Sequence, residues 1–275
     1  MKHFLAIAFA LLIGHQAFAT HLIGGNLGYE FVGVFNGNYR YNIILTTYTN
    51  CDPNTSNFTS PEDPIEDVGI YEHDIQNDPQ GGGNKNFLTT VPMTLISSET
   101  IEPDQPGACS VGQNTCISKG VYQGTVDLPL NFTGYHAYYE RCCRNNSIVN
   151  LIPQESMAFH AYISPPLLQN TSPQFTDDPV PFLCVGDTTS ILNSAFDPDG
   201  DLLTFSFVTP YNGLSSAANP APTAPQPSLP WTIPTVTYAA GYSVTQPFGA
   251  GGGQNINAST GLTCLLYTSP SPRDA

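Results

Sequence analysis

The chain has 275 residues, with 7 Lys and Arg against 22 Asp and Glu, a net charge of −15, and only 11% charged residues. Such an acidic surface repels nucleic acid and anionic membrane, so neither is an expected partner, while solubility and divalent cations are favoured. With 24 Gly, 25 Pro, 14 Tyr and 15 Phe, and with Thr, Val and Ile recurring in short runs, the composition predicts an all-β extracellular chain whose short strands are punctuated by turns.

In chain order, Met1-Lys2-His3 carries positive charge, Phe4 to Gly14 is apolar, and Ala17-Phe18-Ala19 is a small-x-small site. Together they predict a secretory signal peptide over 1–19, cleaved to leave Thr20 first. The apolar run is too short to span a bilayer as a helix, and no other stretch is a candidate transmembrane segment. A first β domain is expected over 20–164. Its opening hairpin is Tyr29 to Val34 and Tyr39 to Tyr48 around Asn36-Gly37, with Tyr39, Tyr41, Ile43 and Leu45 on one face. Further strands are expected at Val68 to Tyr71, Phe87 to Val91, Val121 to Leu128, Tyr135 to Cys143 and Met157 to Ile163. Ser164-Pro165-Pro166 marks a boundary. A second β domain is expected over 165–263, with strands near Pro181 to Val185, Ser190 to Leu192, Leu202 to Val208 and Val236 to Tyr242. Between the last two, Tyr211 to Pro230 is a long Pro-, Ala- and Ser-rich loop.

Six cysteines, Cys51, Cys109, Cys116, Cys142, Cys143 and Cys184, are expected to form disulfides in an exported chain. Cys109 and Cys116 are close enough in sequence to close a small ring. Cys142 and Cys143 are adjacent on an expected strand, which would point them to opposite faces and give them different partners, with Cys51 and Cys184 as candidates. The pairing stays open among 15 possibilities.

Asp197-Pro198-Asp199-Gly200-Asp201 is the main candidate site. Carboxylates at Asp197, Asp199 and Asp201 suit Ca²⁺, with Asn170 and Asp187 as further oxygen ligands. The same residues also suit a plain turn, because Asp-Pro and Asp-Gly both start turns. Val208 stands where an EF-hand loop requires a bidentate Glu. No catalytic residue is assigned: the mature histidines His21, His73, His136 and His160 form no H-E-x-x-H pattern, and G-x-S-x-G and P-loop motifs are lacking.

Several stretches together resemble a known group. They are His21 to Gly25; Tyr41 to Leu45 with Tyr48 and Cys51; Tyr139-Glu-Arg-Cys-Cys-Arg-Asn145; Asn170 to Phe175; Ala195 to Asp201; and Asn255 to Thr263. The pattern resembles the N-terminal region of large exported surface proteins of Bacteroidota. These often carry PKD-like or cadherin-like Ig-fold repeats and a gliding-motility-type sorting domain. The resemblance implies an Ig-like, cadherin-like sandwich for the second domain, calcium at Asp197, Asp199 and Asp201, and a role in adhesion or surface architecture. Separately, Cys264 to Asp274 resembles a translated transposon-type sequencing adapter. Residues 264–275 are therefore set aside as a non-native tail, and the second domain is expected to be truncated at Thr263. Without signal peptide and tail, five basic and 21 acidic residues remain, a net charge of −16.

The expectation is two β-sandwich-type domains on an exported, disulfide-bonded surface protein that binds a surface glycan or protein and does not catalyse. The alternative is a carbohydrate-binding module of a larger secreted enzyme, with Tyr138, Tyr139, Tyr211 and Trp231 stacking on sugar rings. A secreted hydrolase using His73 or His136 is a further rival.

Overall fold

The computed structural model describes residues 22–51, 63–73, 85–101, 116–144, 148–152, 155–179, 188–216, 228–230 and 232–266. The expected signal peptide, Cys109, Cys184, Asp187, Trp231 and the Pro181 to Val185 strand lie outside them. The described chain is all-β, as its composition predicts. Among the described residues no helix is long and apolar enough to cross a membrane.

Strands β1 (Leu22–Phe35) and β2 (Asn38–Asn50) form the expected hairpin. Asn36 and Gly37 both have positive φ, 52° and 83°. That is the signature of the type I′ turn whose twist matches the flanking strands. Strands β3 (Ile65–His73), β4 (Lys85–Ile101), β5 (Ile117–Leu128), β6 (Tyr135–Arg141) and β7 (Met157–Ile163) complete an antiparallel sheet in the order β1-β2-β5-β4-β3-β6-β7. The sheet curls until its ends meet. A side chain added at Gly25 on β1 would come within 2.6 Å of the Phe159 ring on β7, and Leu22 bridges Arg144 in parallel. The result is a nearly closed, barrel-like sandwich.

Alternating residues fill its interior. Tyr41, Ile43 and Leu45 point inward from β2 and meet Val68, Ile70, Met93, Tyr122, Tyr139 and Ile163. Tyr39 packs at the margin of the same cluster. Burying each large side chain fully is worth roughly 1.5–3 kcal/mol, so the two-residue period of β2 alone fixes which face turns inward.

Every residue of β6 is buried, which one covered face would not produce. The chain returns to cover the other face. Val236 donates to the Pro210 carbonyl, Asn212 to Pro234, and Ile152 to Thr237. Ile233 and Tyr211 then pack on Tyr71, Tyr138 and Ala158 as a second cluster. The described ends of the expected loop at Tyr211 to Pro230 are thus packed against the sheet.

After a single 3-10 turn at Pro166–Leu168, the chain docks on β1. The Tyr29 amide donates to Ser172 Oγ at 2.8 Å, and the Ser172 amide to the Tyr29 carbonyl at 2.9 Å. Beyond lie β8 (Gln174–Phe175), β9 (Thr188–Leu192), β10 (Ala195–Phe196), β11 (Ser228–Leu229), β12 (Gly253–Ile256) and β13 (Leu262–Leu266). β8 pairs with β10, β9 and β12 flank β13, and β11 joins β4 of the large sheet. Two expected strands differ. Leu202 to Val208 alternates in burial but forms no ladder, with one backbone bond from Phe205 to Ala258. Val236 to Tyr242 is a series of turns and single bridges. β13 runs through Leu266, three residues into the stretch expected to be non-native.

Candidate functional site

Both described disulfides lie at the barrel end where β1 begins, and both differ from the candidate pairings. Cys51 pairs with Cys116 across a Cα separation of 4.9 Å, continuing the β2-β5 ladder, so Cys116 does not close a ring with Cys109. A crosslink closing a 65-residue loop is worth about 4 kcal/mol through the unfolded chain. Cys142 and Cys143 pair with each other. The opposite-face argument holds only inside a ladder, and β6 ends at Arg141.

The residues flanking that second disulfide organise the same end. Arg141 reaches Glu66 and, at 2.5 Å, Asp63. Burial pushes the Glu66 carboxyl up to about 7, against the opposing pull of Arg141. Arg144 donates to the carbonyls of Ser156 (3.1 Å) and Tyr211 (2.8 Å), tying the returning segment to the barrel. Tyr138 and Tyr139 are 3% and 2% exposed, so neither is free to stack on a sugar ring, whereas Tyr211 is half-buried and Trp231 lies outside the described residues.

The histidines separate. His136 and His160 stack with a ring nitrogen pair 2.9 Å apart, beneath Tyr162 and Tyr211. Burial lowers both, His136 to about 3 and His160 to about 4, with Lys85 adding to the effect on each. At neutral pH they form an uncharged hydrogen-bonded pair, one ring donating to the other.

Asp197, Asp199 and Asp201 occupy a turn. Asp197 Oδ1 accepts from the amides of Asp199 (2.9 Å) and Asp201 (3.3 Å), and the Gly200 amide donates to the Asp197 carbonyl. Asp199 turns away and accepts the Thr171 amide at 2.6 Å. Asn170, the proposed extra ligand, donates to Tyr29 Oη and the Thr171 carbonyl. Among the described residues no three or more His, Cys, Asp or Glu side chains are gathered to hold a metal ion.

Among the described residues a concavity lies elsewhere, where residues 172–178 cross the outer face of β1, β2 and β5. It is a cleft of about 400 Å³ between Ile23, Gly24 and Asn26 on one side and Phe175, Asp177 and Asn193 on the other. A second hollow of about 340 Å³ shares Asn26, Tyr48, Phe175 and Asp177 with it, so the two are adjacent hollows along one groove between the barrel and residues 172–178. Tyr48 Oη donates to Asp178 at 3.0 Å, and Lys119 bridges Asp178 (2.8 Å) and Glu99 (3.2 Å). Burial, then the Asp178 hydrogen bond, raises the Tyr48 hydroxyl well above the usual phenol range. Asp177 accepts from the hydroxyls of Thr176 and Ser194 at 2.8 and 3.0 Å. Sequence reasoning did not single out this groove as a site. Its clue was that three familiar stretches, ending at Gly25, Tyr48 and Phe175, meet there.

No family model, curated protein or solved structure matches this chain.

Proposed function

We propose that this chain is an exported surface module that acts by binding, for adhesion or surface display, and does no chemistry of its own. The observation that carries the reading is the groove between the barrel and residues 172–178. Its polar groups are already held by protein partners, and the Cys51–Cys116 bridge crosslinks the barrel end beside it. A concave, pre-formed surface with a few fixed polar groups suits recognition. The signal-peptide pattern, the paired cysteines and the resemblance to Bacteroidota surface proteins support an extracellular setting.

The test is adhesion that depends on the fold. Beads bearing the oxidised chain should adhere to a panel of immobilised glycans and extracellular proteins, and beads bearing the reduced, denatured chain should not. Equal adhesion of the two, or turnover of ester, peptide or glycoside substrates by the purified chain, would overturn the reading.

A further inference from the structure

We infer that the groove between β1 and residues 172–178 is a binding site for a neutral oligosaccharide. The inference rests on the binding reading above and names the ligand class and the residues that take it.

Phe175 lines both hollows and is 60% exposed, on a two-residue strand. An exposed aromatic face beside a fixed amide and a fixed carboxylate suits a ring that has an apolar C–H face and a hydroxyl edge. Asn26 and Asn193 bring amides, and Asp177 brings a carboxylate, to the two sides of the cleft. The Asn193 amide nitrogen donates to Thr263 Oγ1 at 2.7 Å, which orients its carbonyl oxygen as an acceptor for a hydroxyl. Asp177 is held by two hydroxyls, so its carboxylate is placed before any ligand arrives. Fixing such groups in advance removes the ordering cost that weakens polar recognition.

Charge narrows the class. Lys119 is the only cation among the described residues that line the two hollows, and it is already bridged to Asp178 and Glu99, while Asp177 lines both hollows as a further carboxylate. An anionic glycan would meet net repulsion here, reinforced by a chain charge of −15. Shape narrows it further, because two adjacent hollows that share a wall offer room for more than one sugar ring. Gly24 leaves the wall open: a Cβ there would meet only Tyr48 Cδ2, at 3.9 Å. A larger side chain at position 24 therefore starts from open space on the wall of the groove.

The experiment is calorimetric titration of the full oxidised chain with gluco-, manno-, galacto- and xylo-configured tetrasaccharides. Oligogalacturonate and a tetralysine peptide serve as charged arms. At least one neutral tetrasaccharide should bind. Phe175→Ala and Gly24→Trp should each weaken it by about tenfold or more, with melting temperatures close to the parent. The inference is overturned if no neutral sugar binds, if a charged arm binds more tightly than every neutral one, or if both variants bind as the parent does. Fold-dependent bead adhesion to proteins alone would leave the binding reading standing and remove the saccharide.

Discussion

The hydroxyl of Tyr48 on β2 donates to the carboxylate of Asp178 at 3.0 Å, joining residues 130 apart in sequence. Lys119 holds the same carboxylate from β5 at 2.8 Å. Asp178 thus pins one end of residues 172–178 to the outer face of the barrel, as Ser172 pins the other. Tyr48→Phe should keep the packing of the ring and remove only the donor. The expected loss is about 1 kcal/mol, read as a lower denaturation midpoint with an unchanged m-value. An unchanged midpoint would mean that Lys119 alone holds the carboxylate. Since only one end of the segment depends on this bond, hydrogen exchange should quicken near Asp178 and stay slow at Ser172, whose Oγ accepts the Tyr29 amide.

The stacked histidines make a prediction about acid. In the fold His136 titrates near 3 and His160 near 4, below the unfolded value of about 6.5. Between those limits the unfolded chain binds more protons, so the pair's contribution to stability rises with pH. It is complete above about 6.5 and is lost as pH falls toward 4 and below. Glu66 acts oppositely: its carboxyl is raised to about 7, so the unfolded chain releases that proton first and stability falls with rising pH between about 4.5 and 7. Comparing the parent with a His136→Gln, His160→Gln double variant separates the two effects. The difference between their stability curves should change sharply between pH 4 and 6.5 and flatten above it. A difference that is level across that range would show that the histidines are charged in the fold.

How much of this was legible in the sequence depends on how local the cause is. The Asn36-Gly37 hairpin and β7 at Met157–Ile163 follow from turn residues and alternation within a few positions. Alternation also marks Leu203, Phe205 and Phe207, yet no strand forms, because a ladder needs a partner whose register the segment itself does not encode. The same limit undid the opposite-face argument at Cys142 and Cys143, which lie just past the end of β6. The full burial of β6 comes from Tyr211 and Ile233, distant in sequence, which supply a second cover. The groove was hidden for the strongest version of this reason. Asn26 and Tyr48 sit together in the β1-β2 hairpin, but only contacts across more than a hundred residues bring Phe175 to them.

At the aspartate turn, the two amide hydrogen bonds to Asp197 predict a structural cap. Asp197→Ala should lower stability by about 1 kcal/mol in the presence of EDTA, and Asp197→Asn, which keeps an acceptor oxygen, by less. Differential scanning calorimetry with and without millimolar calcium decides between this and the cation reading of Asp197, Asp199 and Asp201. A calcium-dependent rise in melting temperature that Asp197→Asn removes would restore the metal.

Two neighbouring glycines on β1 should respond in opposite directions. At Gly25 an added Cβ would run into the Thr46 carbonyl oxygen and come within 2.6 Å of the Phe159 ring. Neither can easily yield: Thr46 belongs to β2, the strand paired with β1, and Phe159 lies on β7, where the sheet ends meet. At Gly24 the added atom would meet only Tyr48, at an ordinary contact distance of 3.9 Å. Gly25→Ala should therefore destabilise by about 1–3 kcal/mol through overpacking. Gly24→Ala should be neutral or stabilise by up to about 1 kcal/mol, because alanine restricts the unfolded chain more than glycine does. Chemical denaturation of the two single variants measures both. If closure of the barrel depends on the close approach of β1 and β7, Gly25→Ala should also speed hydrogen exchange in β7 while leaving the β3-β4 pairing protected. Equal tolerance of alanine at the two positions would show that β1 and β7 are not held together at this seam.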